Sequence, residues 1–108
     1  MNPWLLLSLA ILLELSGTLC LKLSHGFSRL LPSLGVVCFY AGSFALMAQS
    51  LKTLEVGIVY AIWAGVGTAL IALVGILAFG ESINALKILG LLMIIGGTFI
   101  LRAASTQA

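Results

Sequence analysis

Charged residues are scarce in this sequence. They make up 7% of its 108 residues, whereas a soluble domain carries about 25%. Hydrophobic residues make up 62%. This number of charges is too small to cover the surface of a water-soluble domain of this size. The composition therefore predicts that the chain is surrounded by lipid. The formal net charge of +2 is too small to indicate a nucleic-acid partner.

Patterns typical of enzymes and metal sites are also missing. The two cysteines, Cys20 and Cys38, lie inside long apolar stretches, and neither their number nor their spacing indicates a metal site or a disulfide framework. The sequence has no glycine-rich phosphate-binding loop and no nucleophile–base pair. We therefore expect a protein that is not an enzyme and that binds neither a metal nor a cofactor.

Four long apolar stretches are separated by short polar clusters. A membrane-spanning helix needs about 20 apolar residues, because the hydrocarbon core is about 30 Å thick and each helical residue rises about 1.5 Å. The runs are continuous rather than alternating, which favours a helical bundle over a β-barrel. The sequence predicts an all-α membrane protein with one four-helix transmembrane domain over residues 1–108. The predicted helices cover about 3–21, 32–51, 56–78 and 85–103.

The first predicted helix contains an acidic residue, Glu14, well inside its apolar sequence. A carboxylate at mid-bilayer costs about 2.5–3.5 kcal/mol on insertion scales, so such acids face other helices or a water-filled cavity. Burial favours the neutral acid, and a carboxyl of this kind can exchange a proton for a cation. The alternative is a protonated glutamate that only holds helices together. We predict that Glu14 binds the proton and the substrate.

Small residues share the helix face of Glu14. Ala10, Gly17 and Thr18 lie at helical spacing from it. They leave space beside the carboxyl, and the Thr18 hydroxyl can hydrogen-bond to it. Close helix packing through small residues is an alternative explanation, and both can hold together. We expect these three residues to line the site.

The third predicted helix carries two aromatic residues, Tyr60 and Trp63, on the same face as Ala64. Ring faces attract positive charge and accept flat organic groups, so beside a carboxylate they suit lipophilic cations. The alternative is a place in the aromatic belt at the membrane surface. We predict that Tyr60 and Trp63 bind substrate and that Ala64 lines the site. Gly65 and Gly67 predict a hinge in this helix, or else close packing.

The second and fourth predicted helices complete the candidate set. Tyr40 is predicted to bind substrate and Ser43 to supply a hydroxyl. Phe44 shares the face of Tyr40 and is counted among the lining residues, although packing against lipid or the core is its more common role. The fourth helix lacks an acid and an aromatic-rich face. Gly90 and Gly97 lie on one of its faces and predict a seam for dimer packing.

Basic residues give a weak signal for orientation in the membrane. Four spans place two of them, Lys52 and Arg102, on one side and three, Lys22, Arg29 and Lys87, on the other. Two oppositely inserted copies would supply the inverted repeat that one copy lacks. A single orientation, fixed by the small bias, is equally compatible. Four helices alone rarely enclose a large cavity, which favours an oligomer.

Three segments, together with the glycines of the last helix, carry a family resemblance: AILLELSGT (10–18), KLSHGFSRLLP (22–32) and GIVYAIWAGVG (57–67). In combination they resemble the small multidrug resistance family of bacterial proton-coupled exporters, and the likeness covers essentially the whole chain. It implies an antiparallel, dual-topology homodimer in the bacterial inner membrane. It also implies export of hydrophobic cations, such as quaternary ammonium compounds, in exchange for protons.

The resemblance assigns roles to single residues. Glu14 matches the family's membrane glutamate, Tyr60 and Trp63 match its aromatic residues, and Tyr40 matches a binding-site tyrosine of its multidrug branch. Gly17 stands where the guanidinium-exporting branch typically has tryptophan, which favours the multidrug branch. Two alternatives stay open: a guanidinium exporter, and a non-transporting membrane subunit of a larger complex.

Overall fold

The computed structural model of the chain describes residues 2–107, and the side chains of residues 2–104. It contains four α-helices: α1 (Pro3–Leu23), α2 (Leu30–Ser50), α3 (Val56–Phe79) and α4 (Ala85–Gln107). Each is long and apolar enough to cross a membrane. No strand occurs within residues 2–107. The predicted all-α membrane fold with four helices is confirmed.

The chain divides after Glu55 into two compact units. Unit 1 holds α1 and α2, and unit 2 holds α3 and α4. In each unit the two helices pack against each other as an antiparallel hairpin. In unit 1 this direction is visible because Ala10 contacts Ser43, whereas Cys20, further along α1, contacts the earlier residue Gly35.

Local sequence explains where α1 and α2 begin. The Asn2 side chain caps α1 by accepting a hydrogen bond from the Trp4 N–H at 2.8 Å. Pro3 takes the first helical position, where a missing N–H removes no helical hydrogen bond. α2 begins at Leu30, two residues before the predicted start at 32. This earlier start is possible because a proline is tolerated in the first turn of a helix, where Pro32 then lies.

A tight loop joins α1 to α2. Within it, three successive residues have a left-handed backbone, which ends a helix: His25, Gly26 and Phe27, with φ of 48°, 73° and 67°. The buried Ser24 hydroxyl holds the loop together. It donates to the Leu21 carbonyl at 2.7 Å and accepts from the Phe27 N–H at 3.0 Å.

The two helices of unit 1 are joined by a hydrogen bond inside an otherwise apolar interface. The Ser43 hydroxyl of α2 donates to the Ala10 carbonyl of α1 at 2.7 Å, and both residues are 0% exposed. Close approach elsewhere depends on glycine, since a Cβ on Gly35 would lie 2.8 Å from the Cys20 sulfur. Such small contacts and interhelical hydrogen bonds are how helices pair in lipid, where the hydrophobic effect gives no drive between them.

The turn of unit 2 is organised by its polar residues. α3 ends before Gly80, whose φ is 64°, and the Asn84 side chain caps α4 by accepting from the Lys87 N–H at 2.9 Å. The Glu81 side chain folds back over Gly75, and a Cβ on that glycine would overlap the carboxylate.

The remaining glycines bear on the predicted hinge and seam. α3 is uninterrupted through Gly65 and Gly67, and a Cβ on Gly65 would overlap the Thr98 hydroxyl of α4. Gly65 therefore serves close packing here, and the hinge stays a prediction. A Cβ on Gly90 or Gly97 would meet no atom within 4 Å, so neither packs within unit 2, and their dimer seam stays a prediction.

The Gly65 contact predicts a clear difference between two glycines of the same helix. We expect Gly65→Ala to destabilise the protein by about 1–3 kcal/mol, because overpacking forces Thr98 or the helix to move. Gly57→Ala is the matched control, since a Cβ on Gly57 meets nothing within 4 Å. Thermal unfolding in detergent measures both, and Thr98→Ala should restore part of the loss. Equal unfolding temperatures for the two glycine variants would contradict the packing described for Gly65.

Candidate functional site

The acid of α1 has a hydrogen-bond partner on its own helix. The Thr18 hydroxyl donates to Glu14 Oε1 at 2.9 Å, and both groups are partly buried. The bond spans one helical turn, as the spacing of the two residues predicted. Glu14 is thus a carboxyl inside an apolar helix that is stabilised by a hydroxyl rather than by a basic side chain.

A second hydroxyl extends this contact to α2. The Tyr40 hydroxyl oxygen lies 2.8 Å from Thr18 Oγ1, within hydrogen-bond distance. Three polar side chains are therefore connected by hydrogen bonds across the α1–α2 interface, in the order Glu14, Thr18 and Tyr40. We call these three residues the hydroxyl chain.

Gly17 is what allows the Tyr40 ring to lie there. A Cβ on Gly17 would be 2.6 Å and 2.7 Å from two ring carbons of Tyr40, far inside van der Waals contact. The ring therefore lies directly against α1 at Gly17, and its hydroxyl reaches the next residue, Thr18. The sequence predicted that Gly17 leaves space beside the acid. In the structure the Tyr40 ring occupies the space over Gly17.

Ala10 and Ser43 lie together one turn before Glu14. Because the single proton of the Ser43 hydroxyl is donated to the Ala10 carbonyl, it joins the helices and is not offered to a ligand. Both residues are fully buried between α1 and α2. Their role in lining a site stays a prediction.

Phe44 continues the aromatic surface of α2. Its ring centroid is 6.3 Å from that of Tyr40, with the two planes tilted by 39°. Phe44 is 54% exposed. It can extend an apolar wall or face lipid.

In unit 2 the predicted aromatic pair is in contact. The ring centroids of Tyr60 and Trp63 are 5.6 Å apart and the planes meet at 77°, the edge-to-face arrangement that aromatic rings favour. Tyr60 is 62% exposed, and Ala64 is exposed beside it on the same helix. Tyr60 is thus mostly uncovered, and an aromatic side chain of this kind can contact a cationic or flat group.

Metal ligands are not grouped in the part of the chain whose side chains are described. Within residues 2–104 no three His, Cys, Asp or Glu side chains lie close enough to hold a metal ion. The expectation that the protein needs no cofactor stays an expectation. The carboxyl of Glu14, placed inside an apolar helix, suits reversible protonation and cation binding.

The fold and the site define a class: a multi-pass membrane protein with one acid placed inside its first apolar helix. The chain belongs to the small multidrug resistance family, whose model matches residues 2–94. Members of this family are transporters, and the chain is a multi-pass protein of the bacterial inner membrane.

Named relatives are similar along nearly their whole length. The chain is 46% identical to multidrug resistance protein EbrB of Bacillus licheniformis over 108 residues, which are 100% of this chain and 91% of the relative. It is 44% identical to the multidrug transporter EmrE of Escherichia coli over 105 residues, 97% and 96% of the two chains. It is also 42% identical to a guanidinium exporter of Yersinia pseudotuberculosis over 102 residues, 94% and 98% of the two chains.

A double-mutant cycle tests the contact between Gly17 and Tyr40. We expect Gly17→Ala to destabilise the protein by about 1–3 kcal/mol, because the new methyl group overlaps the Tyr40 ring. In a Tyr40→Leu background the same change should cost clearly less, since the smaller side chain can move aside. Unfolding of the four proteins in detergent gives the coupling energy, and additivity within about 0.5 kcal/mol would contradict direct contact.

Proposed function

We propose that this protein is a proton-coupled antiporter that exports hydrophobic organic cations, including quaternary ammonium compounds. Glu14 is the group for which the proton and the cation compete. In this account the ionised carboxylate binds the cation, and protonation of the same carboxyl releases it. The expelled cation and the entering proton use one site in turn, which is the physical basis of exchange.

The observation that carries the proposal is the environment of Glu14. Its hydrogen-bond partner is the neutral Thr18 hydroxyl, so no basic side chain within unit 1 is seen to neutralise it. A unit charge about 4 Å away would interact with such a carboxylate by about 4 kcal/mol at an effective dielectric constant of 20. A neutral carboxylic acid lacks this attraction. Protonation therefore removes the main electrostatic reason for a cation to stay.

Aromatic surfaces support a substrate that is both apolar and cationic. Tyr40 and Phe44 on α2, and Tyr60 and Trp63 on α3, present ring faces that attract positive charge and exclude water from an apolar substituent. The names of the EbrB and EmrE relatives, which describe multidrug resistance and multidrug transport, agree with this substrate class.

Guanidinium export is the second candidate function. It is favoured by the likeness to the Yersinia guanidinium exporter, which is almost as high as that to the multidrug proteins. Against it stands the Tyr40 ring over Gly17, because an aromatic ring offers few of the hydrogen-bond acceptors that the N–H groups of guanidinium require. A substrate panel separates the two functions, because a guanidinium exporter should select small planar cations.

The working form is proposed to be an antiparallel homodimer in which each protomer supplies one Glu14. Two oppositely oriented copies would provide the two-fold symmetry in the membrane plane from which many transporters build alternating access. Gly90 and Gly97 support this because they pack against nothing within unit 2 and leave a narrow strip for another helix.

Removing the charge of Glu14 should abolish exchange. We expect proteoliposomes that contain the wild type to accumulate tetraphenylphosphonium when a proton gradient is applied. Glu14→Gln should reduce the rate of accumulation at least about tenfold, because the neutral amide has no negative charge to attract the cation. Glu55→Gln is the control, since Glu55 lies in the link between the helix pairs. Equal rates for wild type and Glu14→Gln would overturn the mechanism and favour a non-transporting subunit. Preference for guanidinium over the bulky cation would favour the second function.

Dual insertion predicts a divided reporter signal. A C-terminal reporter should appear on both sides of the membrane, because the basic residues bias the chain only weakly. The variant Lys52→Gln tests the cause, since it leaves one basic residue, Arg102, on the side of the termini and three on the other side. It should therefore move the C-terminus mainly to the outside of the membrane. Detection of the wild-type reporter on one side only would exclude dual insertion of this chain.

A further inference from the structure

We propose that the hydrogen bond between Thr18 and Tyr40 reverses direction when Glu14 gains or loses its proton, so that the proton which discharges Glu14 also weakens the hold of the Tyr40 ring on a cation. The inference rests on the proposed function and deepens it. It gives Thr18 the role of a positioning residue that connects the acid to an aromatic side chain of the opposite helix.

When Glu14 is ionised, the number of protons available fixes the direction of both hydrogen bonds in the hydroxyl chain. A carboxylate accepts hydrogen bonds and donates none. The Thr18 hydroxyl has a single proton and donates it to Glu14 Oε1 at 2.9 Å. At the second contact, 2.8 Å long, the Thr18 oxygen therefore accepts, and the Tyr40 hydroxyl is the donor. The direction runs from Tyr40 through Thr18 to Glu14.

Protonation of Glu14 at Oε1 turns the same contacts around. The carboxylic acid then donates to Thr18, whose hydroxyl rotates and donates to the Tyr40 oxygen. Tyr40 accepts, and its own proton points away from the chain. The only proton added is the one bound to Glu14, and no covalent bond of Thr18 or Tyr40 breaks.

The reversal matters because the Tyr40 ring is fixed while its hydroxyl is not. The ring lies on the Gly17 backbone, where there is no room for even a Cβ. A phenol that donates toward a carboxylate gains electron density on its oxygen and ring, since hydrogen bonds in such chains polarise one another. Attraction of a cation to a ring face is electrostatic, so the ring binds cations better in the ionised state.

The other titratable side chains of residues 2–55 stand apart from the hydroxyl chain, and four of them lie in the segments that follow α1 and α2: His25, Arg29, Lys52 and Glu55. On α1 they are Cys20, which lies against Gly35, and Lys22, which is about 12 Å along the helix axis from Glu14 at about 1.5 Å per residue. On α2, besides Tyr40, there is Cys38, which is exposed. Within unit 1 the protonation state of Glu14 is therefore the one to which Tyr40 is connected by hydrogen bonds.

Tyrosine labelling tests the reversal directly, because the chain has only two tyrosines. With ¹³C at the ring carbon that bears the hydroxyl, and Tyr60→Phe to assign the signals, Tyr40 can be followed through a pH titration in lipid nanodiscs. A ¹³C label on the glutamate carboxyls follows Glu14 in the same sample. We expect the Tyr40 signal to shift in step with the Glu14 titration.

Variants of Thr18 separate the hydrogen-bond route from a through-space effect. Thr18→Val has nearly the same shape but no hydroxyl, and should abolish the Tyr40 response while Glu14 still titrates. Thr18→Ser should restore the response. A Tyr40 signal that stays constant in the wild type while Glu14 titrates would show that the bond keeps its direction, and would overturn the proposal. An equal response in Thr18→Val would overturn it as well.

Cation affinity provides the functional readout. For the wild type, tetraphenylphosphonium should bind more tightly at high than at low pH. In Tyr40→Phe, which keeps the ring, this ratio should fall by about two- to five-fold, the size of a modest cation–π contribution. An unchanged ratio would contradict the link from Glu14 to the ring. Failure of the proposed function itself is distinct, since it would appear as a wild-type affinity that does not depend on pH.

Discussion

A carboxyl group inside an apolar helix must find a hydrogen-bond donor, and the contacts of unit 1 follow from this need. Thr18 supplies the donor from the next turn of α1, and Tyr40 reaches Thr18 from α2. The ring can come so close only because Gly17 has no side chain. Ser43 holds the two helices in the register that makes these contacts possible, through its buried bond to the α1 backbone. The acid is thus supported by neutral groups alone, which leaves its charge available to a ligand.

Much of the fold could be predicted because lipid makes simple demands. Continuous apolar runs of the right length must be helices, since the backbone cannot hydrogen-bond to lipid. The polar residues around 24–29, 51–55 and 80–84 then fall between the helices, as in the structure. The bond from Thr18 to Glu14 was also predictable, because residues one turn apart on a helix always face each other.

What could not be predicted depends on how α1 and α2 face each other. The hydrophobic faces of both helices are nearly uniform, so the sequence does not indicate which residue of α2 lies over Gly17. Tyr40 was therefore expected near a ligand but not at Thr18, and Ser43 was expected to offer its hydroxyl although it is bonded to Ala10. In the same way the sequence left a hinge and close packing open for Gly65, because its contact with Thr98 depends on the register of α3 and α4.

Exchange at Glu14 requires that a cation and a proton exclude each other there, and proton release on cation binding measures this most directly. Adding tetraphenylphosphonium to weakly buffered protein, at a pH where the carboxyl is partly protonated, should acidify the solution. The release should disappear in Glu14→Gln. Cation binding by the wild type with no protons released would contradict the exchange mechanism.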